Sequence, residues 1–231
     1  CYPTNSIKEL CEERKIPFIM DSVESAYEFD GYEKVGTQAN IEVFSMHASK
    51  LLNGCEGGYA TTNDEKLYRQ LSVLRAFGFE GQDASKYDNG INAKLNEMHA
   101  ALALANLESL DSLVKHNREI YERYKQELAN IEGIELIKFN VKEKTSCKNI
   151  VIKISPEFPA SRDQLITCLH KNSFLARPYY SPPLHIKHEA KVSLPFTESC
   201  SLNHLVLPSG YQVNEINVIE ICALIKNMKT N

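Results

Sequence analysis

The chain has 231 residues, of which 43% are hydrophobic, 24% charged and 9% aromatic, and its formal net charge is −4. This composition is typical of a globular protein, and it argues against a disordered chain and against a nucleic-acid binder, which would carry a basic excess. No apolar run approaches the roughly 18 residues that a membrane-spanning helix needs, so we expect no membrane segment.

The first half of the chain predicts an α/β layered domain, in which strands alternate with helices and the sheet is mainly parallel. A helix is expected over residues 6–14 with Ser6 as its N-cap, because its apolar residues recur at helical spacing. The apolar run at 17–20 predicts a strand covered on both faces, and this strand ends in Asp21. The other elements expected in this half are strands at 41–44 and 58–62 and a helix from Asn63 or Asp64 to a stop at Gly78.

A long helical pattern over residues 96–128 divides the chain. Neither Gly nor Pro interrupts this pattern, so we expect one helix that connects two domains. The predicted domains are residues 1–115, which contain the α/β layered domain, and residues 116–231, a smaller α+β domain that includes the connecting helix. The elements expected in the second domain are strands at 134–137 and 150–154, a helix opened by a capping box at 161–164, a short strand containing Tyr179 and Tyr180, and a closing helix at 214–229.

The seven cysteines are odd in number, widely spaced and without a CxxC pair. This pattern favours free thiols over a disulfide framework or a zinc site, and we predict no other metal site. Free thiols are typical of a reducing compartment, so we expect a cytoplasmic protein. The chain opens at Cys1 without an initiator Met or a signal peptide, and we interpret this start as cut.

The densest chemical signal lies at residues 44–58, directly after a predicted strand. It places a hydroxyl, an imidazole and an amine in one turn, from Ser45, His47 and Lys50. Ligands of open α/β sheets bind at such turns, and a shielded lysine can act as a Schiff-base nucleophile. A solvated surface lysine remains the alternative for Lys50. Gly57 and Gly58 would let the backbone pass close to a bulky group.

Asp21 is the second candidate for chemistry. A carboxylate at the end of an apolar strand is expected to cap a turn, to form an ion pair or to bind a cationic ligand. Pyridoxal phosphate needs such an acid, because a carboxylate keeps its pyridine nitrogen protonated, and it also needs a lysine for its aldehyde. Asp21 and Lys50 together therefore indicate pyridoxal phosphate, with a turn as the structural alternative for Asp21.

Several segments in order resemble the DegT/DnrJ/EryC1/StrS family of pyridoxal-phosphate sugar aminotransferases. The family pattern D-A-A-[QH]-A corresponds to residues 21–26, and the lysine motif F-S-x-H-x-[TS]-K corresponds to residues 44–50. The further matching segments are 56–58, 62–64, 90–97, 178–185 and 207–210. The resemblance implies the type I aminotransferase fold, here as a partial large domain followed by a smaller α+β C-terminal domain.

The resemblance also implies roles for five residues at a cofactor site. Lys50 would hold pyridoxal phosphate as an internal aldimine and would move the proton during the reaction. Asp21 would pair with the pyridine nitrogen, and Ser45 would bind the phosphate. Asn92 would reach the phosphate across the interface of a homodimer with shared active sites. Glu24 stands where the family has Gln or His, and its charge would face the ring oxygen unless the carboxyl is protonated.

Within the family, the segments 50–53, 77–81 and 92–94 resemble the enzymes that aminate dTDP-4-keto-6-deoxyglucose at C4. The implied reaction is a ping-pong transamination of a nucleotide-linked keto-deoxy sugar, with glutamate as the amino donor. Lys94, Tyr179 and His185 are the candidates for contacts to the nucleotide sugar. Their structural alternatives are a solvated face for Lys94 and packing for the other two, and His47 is equally open to a role in supporting its loop.

Two other classes of function stay open, namely a non-catalytic fragment and an interaction module that uses the fold without chemistry. Family enzymes begin with a stretch that supplies part of the large domain and a phosphate cradle, and this stretch does not precede Cys1. We therefore expect this chain alone to bind the cofactor weakly or not at all. Lys50 argues against both alternatives, and it favours transamination over dehydration because a dehydratase branch of the family has His there.

Overall fold

The computed structural model describes residues 4–81, 87–139 and 145–229, which divide into two compact units. The first unit comprises the described residues up to Asp111 together with Thr145, and the second comprises Ser112–Phe139 and the described residues from Ser146 onward. The domain boundary between residues 115 and 116 stays a prediction. Within the described ranges, none of the helices combines the length and the apolarity that crossing a membrane requires.

The first unit begins with helix α1 (Thr4–Arg14). The prediction that Ser6 is its N-cap is wrong, because Thr4 and Asn5 are already helical. Cys1 lies outside the described residues, and the other six cysteines are free thiols.

A three-stranded sheet forms the centre of the first unit. Its strands are β1 (Ile19–Asp21), β4 (Ile41–Ser45) and β5 (Gly58–Thr61), with β1 parallel and β5 antiparallel to β4. The sheet expected to be mainly parallel is therefore mixed over the described residues. The expectation that both faces of β1 are covered is wrong. Ile19 is 61% exposed, and Val43, which lies on the same face of the sheet, is 36% exposed.

Between β1 and β4 the chain forms a small antiparallel hairpin of β2 (Phe29–Asp30) and β3 (Glu33–Lys34), which the sequence did not predict. Helix α2 (Glu65–Leu74) follows β5. Asp64 is its N-cap as predicted, because its side chain accepts the N–H groups of Lys66 and Leu67. Helix α2 ends at Leu74 with Arg75 as its C-cap, so Gly78 follows the helix but is not the stop that was predicted. The N–H of Gly78 donates to the Val73 carbonyl at 3.0 Å.

The single long helix expected over residues 96–128 is wrong, because the structure has two helices there. They are α3 (Glu97–Glu108) and α4 (Leu110–Leu128). The break lies at Ser109, whose N–H donates to the carbonyl of Asn106 at 3.2 Å. This bond spans three residues rather than four, so it tightens and ends the last turn of α3.

The second unit contains a four-stranded sheet in the order β6–β7–β9–β8, with every pairing antiparallel. The strands are β6 (Ile134–Leu136), β7 (Ile150–Ile154), β8 (Arg177–Pro178) and β9 (His204–Leu207). The predicted strand containing Tyr179 and Tyr180 is wrong, because β8 ends at Pro178. The sequence did not predict β9.

Four helices complete the second unit: α5 (Arg162–Lys171), α6 (Leu184–Lys187), α7 (Pro195–Asn203) and α8 (Glu215–Lys226). The predicted capping box is confirmed, since both reciprocal bonds between Ser161 and Gln164 are present. Asn214 caps α8, which ends earlier than predicted. The core lies between α4, α5, α8 and the sheet. Its fully buried side chains include Tyr124, Ile150, Ile152, Leu165, Leu169, Leu205, Ile221 and Ile225.

Candidate functional site

Two of the predicted site residues end neighbouring parallel strands of the first unit. Asp21 is the last residue of β1 and Ser45 is the last residue of β4. Asp21 stands opposite Val43 in the register, so Ser45 lies two residues further along. Because side chains alternate between the faces of a sheet, Asp21, Val43 and Ser45 share one face. The sheet thus places a carboxylate and a hydroxyl on the same face at its carboxyl edge.

The carboxylate of Asp21 is exposed and accepts one weak hydrogen bond. Its Oδ1 accepts the N–H of Val23 at 3.3 Å, and no Lys, Arg or His of the described residues forms an ion pair with it. The bond to Val23 closes an Asx turn, so the turn predicted as the alternative is present. That single bond leaves most of the acceptor capacity of the carboxylate available to a cationic group.

Residues 46–57 join β4 to β5, and we call this segment the lysine loop. The N–H of Met46 donates to the Gly57 carbonyl at 2.8 Å, so the antiparallel pairing continues into the loop. The N–H of Lys50 donates to the His47 carbonyl at 2.9 Å, which closes a tight turn before the lysine. These backbone bonds fix the position from which the Lys50 side chain leaves the loop.

Gly57 has a backbone conformation that residues with a side chain rarely adopt. Its φ is +120°, and a Cβ at this position would lie 2.6 Å from Cδ1 of Leu95. At Gly58 a Cβ would lie 2.7 Å from the Phe44 carbonyl oxygen. The bulky group that Gly57 was predicted to admit is thus, in this structure, the side chain of Leu95.

Lys50 forms an ion pair with Glu24, which lies in the turn after β1. The side chain of Lys50 is 15% exposed. The alternative of a solvated surface lysine therefore does not hold. Glu24 stands where the family pattern has Gln or His, and it bonds directly to the amine of Lys50. Of the predicted site residues, these two are in direct contact.

His47 stabilises the lysine loop through contacts with other residues of the loop. Its Nδ1 accepts the N–H of Ser49 at 3.1 Å and lies 2.8 Å from the Ser49 hydroxyl. Its Nε2 lies 3.9 Å from Oε1 of Glu56. Since Nδ1 accepts from Ser49, the neutral ring carries its proton on Nε2, toward Glu56. These contacts favour the structural role that the sequence left open for His47.

Helix α3 holds the lysine loop from the other side, through two residues that the sequence did not single out. Nδ1 of His99 lies 2.6 Å from the Gly54 carbonyl, and Nδ2 of Asn106 donates to the Asn53 carbonyl at 2.7 Å. The two side chains are seven residues apart, so they lie on one face of the helix two turns apart. Polar residues at this spacing in an otherwise apolar helix are the signal that could have identified them.

Asn92 and Lys94 lie in the segment before α3. The backbone of Asn92 forms a bridge with Ala76, and its side chain is exposed. Nζ of Lys94 stands 4.1 Å from the centre of the Phe77 ring, a cation–π contact. Their predicted roles, at a phosphate across a dimer interface and at a nucleotide sugar, stay predictions.

Tyr179 and His185 belong to the second unit. Nε2 of His185 lies 3.0 Å from Oε1 of Glu198, and the His185 side chain is 7% exposed. The N–H of Leu194 and the His185 ring both bond to Glu198, which lowers the pKa of that carboxyl. Tyr179 packs edge-on against Tyr180, with ring centres 4.7 Å apart. Both residues therefore have packing partners within their own unit, and substrate contact stays a prediction.

One family of known proteins matches nearly the whole chain. Residues 1–226 match the DegT/DnrJ/EryC1/StrS aminotransferase family. The GDP-perosamine synthase of Vibrio cholerae is 29% identical over 227 residues, which are 96% of this chain and 62% of that protein. The dTDP-4-amino-4,6-dideoxy-D-glucose transaminase of Shigella dysenteriae is 26% identical over 179 residues, which are 78% of this chain and 48% of that protein.

A solved structure shows the same architecture. PseC of Helicobacter pylori, an aminotransferase involved in the biosynthesis of pseudoaminic acid, has a TM-score of 0.86 and 25% sequence identity. The match covers 97% of this chain and 62% of that chain, so the chain spans less than two thirds of the relatives it matches. The predicted fold class, an α/β type I aminotransferase fold with a partial large domain, is confirmed. The chain belongs to the DegT/DnrJ/EryC1/StrS aminotransferase family.

Proposed function

We propose that the protein binds pyridoxal phosphate at Lys50 and transfers an amino group to a nucleotide-linked keto sugar. The observation that carries this proposal is the shielded amine of Lys50. Lys50 lies in the loop that follows β4, and its amine forms an ion pair with Glu24. A shielded lysine amine of this kind can act as a Schiff-base nucleophile. Membership in a family of aminotransferases supports the same chemistry.

The described residues fit the cofactor. Asp21 offers a carboxylate without an ion-pair partner among the described residues, as a protonated pyridine nitrogen requires. Ser45 ends the neighbouring strand on the same face of the sheet, where its hydroxyl would bond to the phosphate. Lys50 supplies the amine. These three residues come from two strand ends and the loop that follows them.

Pyridoxal phosphate, when bound, would supply an aldehyde for Nζ of Lys50 and a ring that withdraws electrons from the reacting carbon. The chain's own groups would manage the protons. Asp21 would hold a proton on the ring nitrogen through its carboxylate, and Lys50 would take up and return a proton at Nζ. Glu24 pairs with Lys50 in this structure, and it would therefore lie beside the reacting groups while Lys50 transfers the proton.

The proposed substrate is a nucleotide-linked 4-keto-6-deoxyhexose, with glutamate as the amino donor in a ping-pong transamination. Two relatives support the sugar class, since one is named a GDP-perosamine synthase and the other a dTDP-4-amino-4,6-dideoxy-D-glucose transaminase. Lys94, Tyr179 and His185 are the proposed contacts to the nucleotide sugar. Asn92 is proposed to reach the cofactor phosphate of a second copy, in a homodimer with shared sites.

Reductive trapping tests the cofactor assignment. The chain is incubated with an excess of pyridoxal phosphate, reduced with borohydride and digested, and the modified peptide is identified by mass spectrometry. We expect the cofactor on Lys50, because its amine is shielded in the lysine loop, which follows the strand next to the one that ends in Asp21. The excess ensures that even weak binding yields a trapped product.

Lys50→Arg is the matched control, since it keeps the positive charge beside Glu24 and removes the nucleophile. This variant should show no modification at position 50 and no new dominant site. Modification spread over surface lysines, or the same yield in both proteins, would contradict the proposal. A non-catalytic fragment or an interaction module would give that result.

A further inference from the structure

The buried carboxylate of Glu42 is outside the group of residues assigned to the cofactor. It is the second residue of β4 and is fully buried, with 0% exposure. Its oxygens accept the backbone N–H groups of Gly36 at 2.7 Å, Gln38 at 2.6 Å and Ala39 at 3.2 Å. A buried carboxylate persists only where such donors replace its water. Glu42 thus anchors the segment 36–39 against the sheet.

The fourth hydrogen-bond donor to Glu42 is Ser22, the residue after Asp21 of the proposed cofactor site. Oγ of Ser22 donates to Oε2 of Glu42 at 3.2 Å, and Ser22 directly follows Asp21. Ser22 is 2% exposed, and its own N–H donates to the Val43 carbonyl at 2.9 Å. The carboxylate therefore joins the anchored segment to the first residue after β1.

Ser22 is also the first residue of the turn that carries Glu24. The N–H of Ser25 donates to the Ser22 carbonyl at 2.9 Å, which closes a β-turn over residues 22–25. Glu24, the third residue of that turn, pairs with Lys50. Ser22 therefore lies between Asp21, its neighbour in the sequence, and the turn that carries Glu24.

We propose that Glu42 is a positioning residue of the cofactor site and that it acts through the hydroxyl of Ser22. The inference rests on the proposed function, since it assigns Asp21 and Glu24 to the cofactor site. Glu42 bonds to neither of these side chains. It holds the residue between them, and the backbone bonds from the segment 36–39 hold the carboxylate in place.

Ser22→Ala separates positioning from simple stabilisation. It removes the hydroxyl and leaves Glu42 with its three backbone donors, so the buried charge stays compensated. Thr61→Val is the matched control. It removes a hydroxyl that donates to the Gly36 carbonyl at 2.7 Å, so it loosens the same segment without touching Ser22. Glu42→Gln is the second variant, which neutralises the carboxylate.

Two readouts are measured on each protein. The first is the rate at which an acetylating reagent, N-hydroxysuccinimidyl acetate, modifies Lys50 without cofactor, followed by mass spectrometry. The second is the dissociation constant of pyridoxal phosphate, obtained from its absorbance. In Ser22→Ala and Glu42→Gln we expect faster modification of Lys50 and weaker cofactor binding, each by about fivefold, the factor that one net hydrogen bond supplies. Thr61→Val should leave both quantities unchanged.

The inference is overturned if Ser22→Ala matches the native chain in Lys50 modification, or if Thr61→Val shifts it equally. Ser22→Ala decides the outcome if Glu42→Gln does not fold. The proposed function fails separately, when the native chain takes no cofactor on Lys50. The modification rates without cofactor then still show whether Glu42 and Ser22 control the contact between Glu24 and Lys50.

Discussion

Cys222 is a buried thiol in the core of the second unit, on helix α8. Burial raises its pKa from the ordinary value of 9.0 to about 12, and the nearby carboxylate of Glu127 adds to this rise. In the unfolded chain the thiol ionises near its ordinary value. The ionisation of Cys222 therefore contributes to the pH dependence of the free energy of unfolding.

Between about pH 9 and pH 12 the unfolded chain has lost the thiol proton that the folded chain still binds. The free energy of unfolding should therefore fall as the pH rises, by up to about 1.4 kcal/mol per pH unit for this group. Cys222→Ala should show a shallower fall over the same range, measured by urea unfolding at pH 8 to 10.5. Cys55→Ala removes an exposed thiol and serves as the control. Equal slopes in all three proteins would rule out this role of Cys222.

Residues whose partners are close in sequence could be predicted, and those with distant partners could not. Asp64 caps α2 through N–H groups two and three residues away, so its role is visible in a short motif. Glu42 bonds to Ser22, twenty residues earlier, and a glutamate within a strand gives no local sign of burial. Lys50 was recognised by its motif, yet its pairing with Glu24 depends on a turn that only the fold brings near.

Helix α3 and helix α4 show what periodicity misses at the scale of elements. The apolar stripe runs through both helices without Gly or Pro, yet Ser109 ends the first helix with a three-residue bond. The change of hydrogen-bond pattern at Ser109 does not alter the spacing of apolar residues in the sequence. Strands of two residues, such as β2 and β8, are also too short for their alternation to be recognised. The caps at Asp64 and Ser161 were predicted correctly, because capping depends on few neighbouring residues, whereas the predicted cap at Ser6 was wrong.

The capping box of α5 provides a test at this scale. Oγ of Ser161 accepts the N–H of Gln164, and the Gln164 side chain accepts the N–H of Ser161 at 2.8 Å. Ser161→Ala removes the first bond and should lower the free energy of unfolding by about 1 kcal/mol. Ser193→Ala, at an exposed serine outside the helices, is the control and should change it little. Thermal and urea unfolding of the two variants measure the difference, and equal stabilities would contradict a contribution from the cap.

At the scale of the whole molecule, the two units differ in how much core they contain. The large cluster of buried hydrophobic residues lies in the second unit, where α4, α5, α8 and the sheet supply it. The first unit buries fewer large side chains among the described residues, with Phe44, Met46 and Leu51 as examples. The alternation of strands and helices predicted both units in outline, because layered packing needs that order.

We expect residues 112–231 to fold without the rest of the chain, since this segment contains its own core. The measurement is a thermal transition followed by circular dichroism, which should be cooperative. Leu165→Ala, at a fully buried position, should lower the free energy of unfolding of this segment by about 2–5 kcal/mol. A gradual transition that the substitution leaves unchanged would show that the second unit depends on the first.

The buried carboxylate of Glu42 also bears on how β1 and β4 find their alignment. Because side chains alternate along a strand, a slip of β1 by one residue would turn Ser22 to the other face and carry its hydroxyl away from Oε2 of Glu42. The slipped sheet would then lack this hydrogen bond to a buried carboxylate, and such a loss is costly in a buried setting. A polar contact thus penalises the nearest misaligned sheet, and the alignment that it favours is the one with Asp21 opposite Val43.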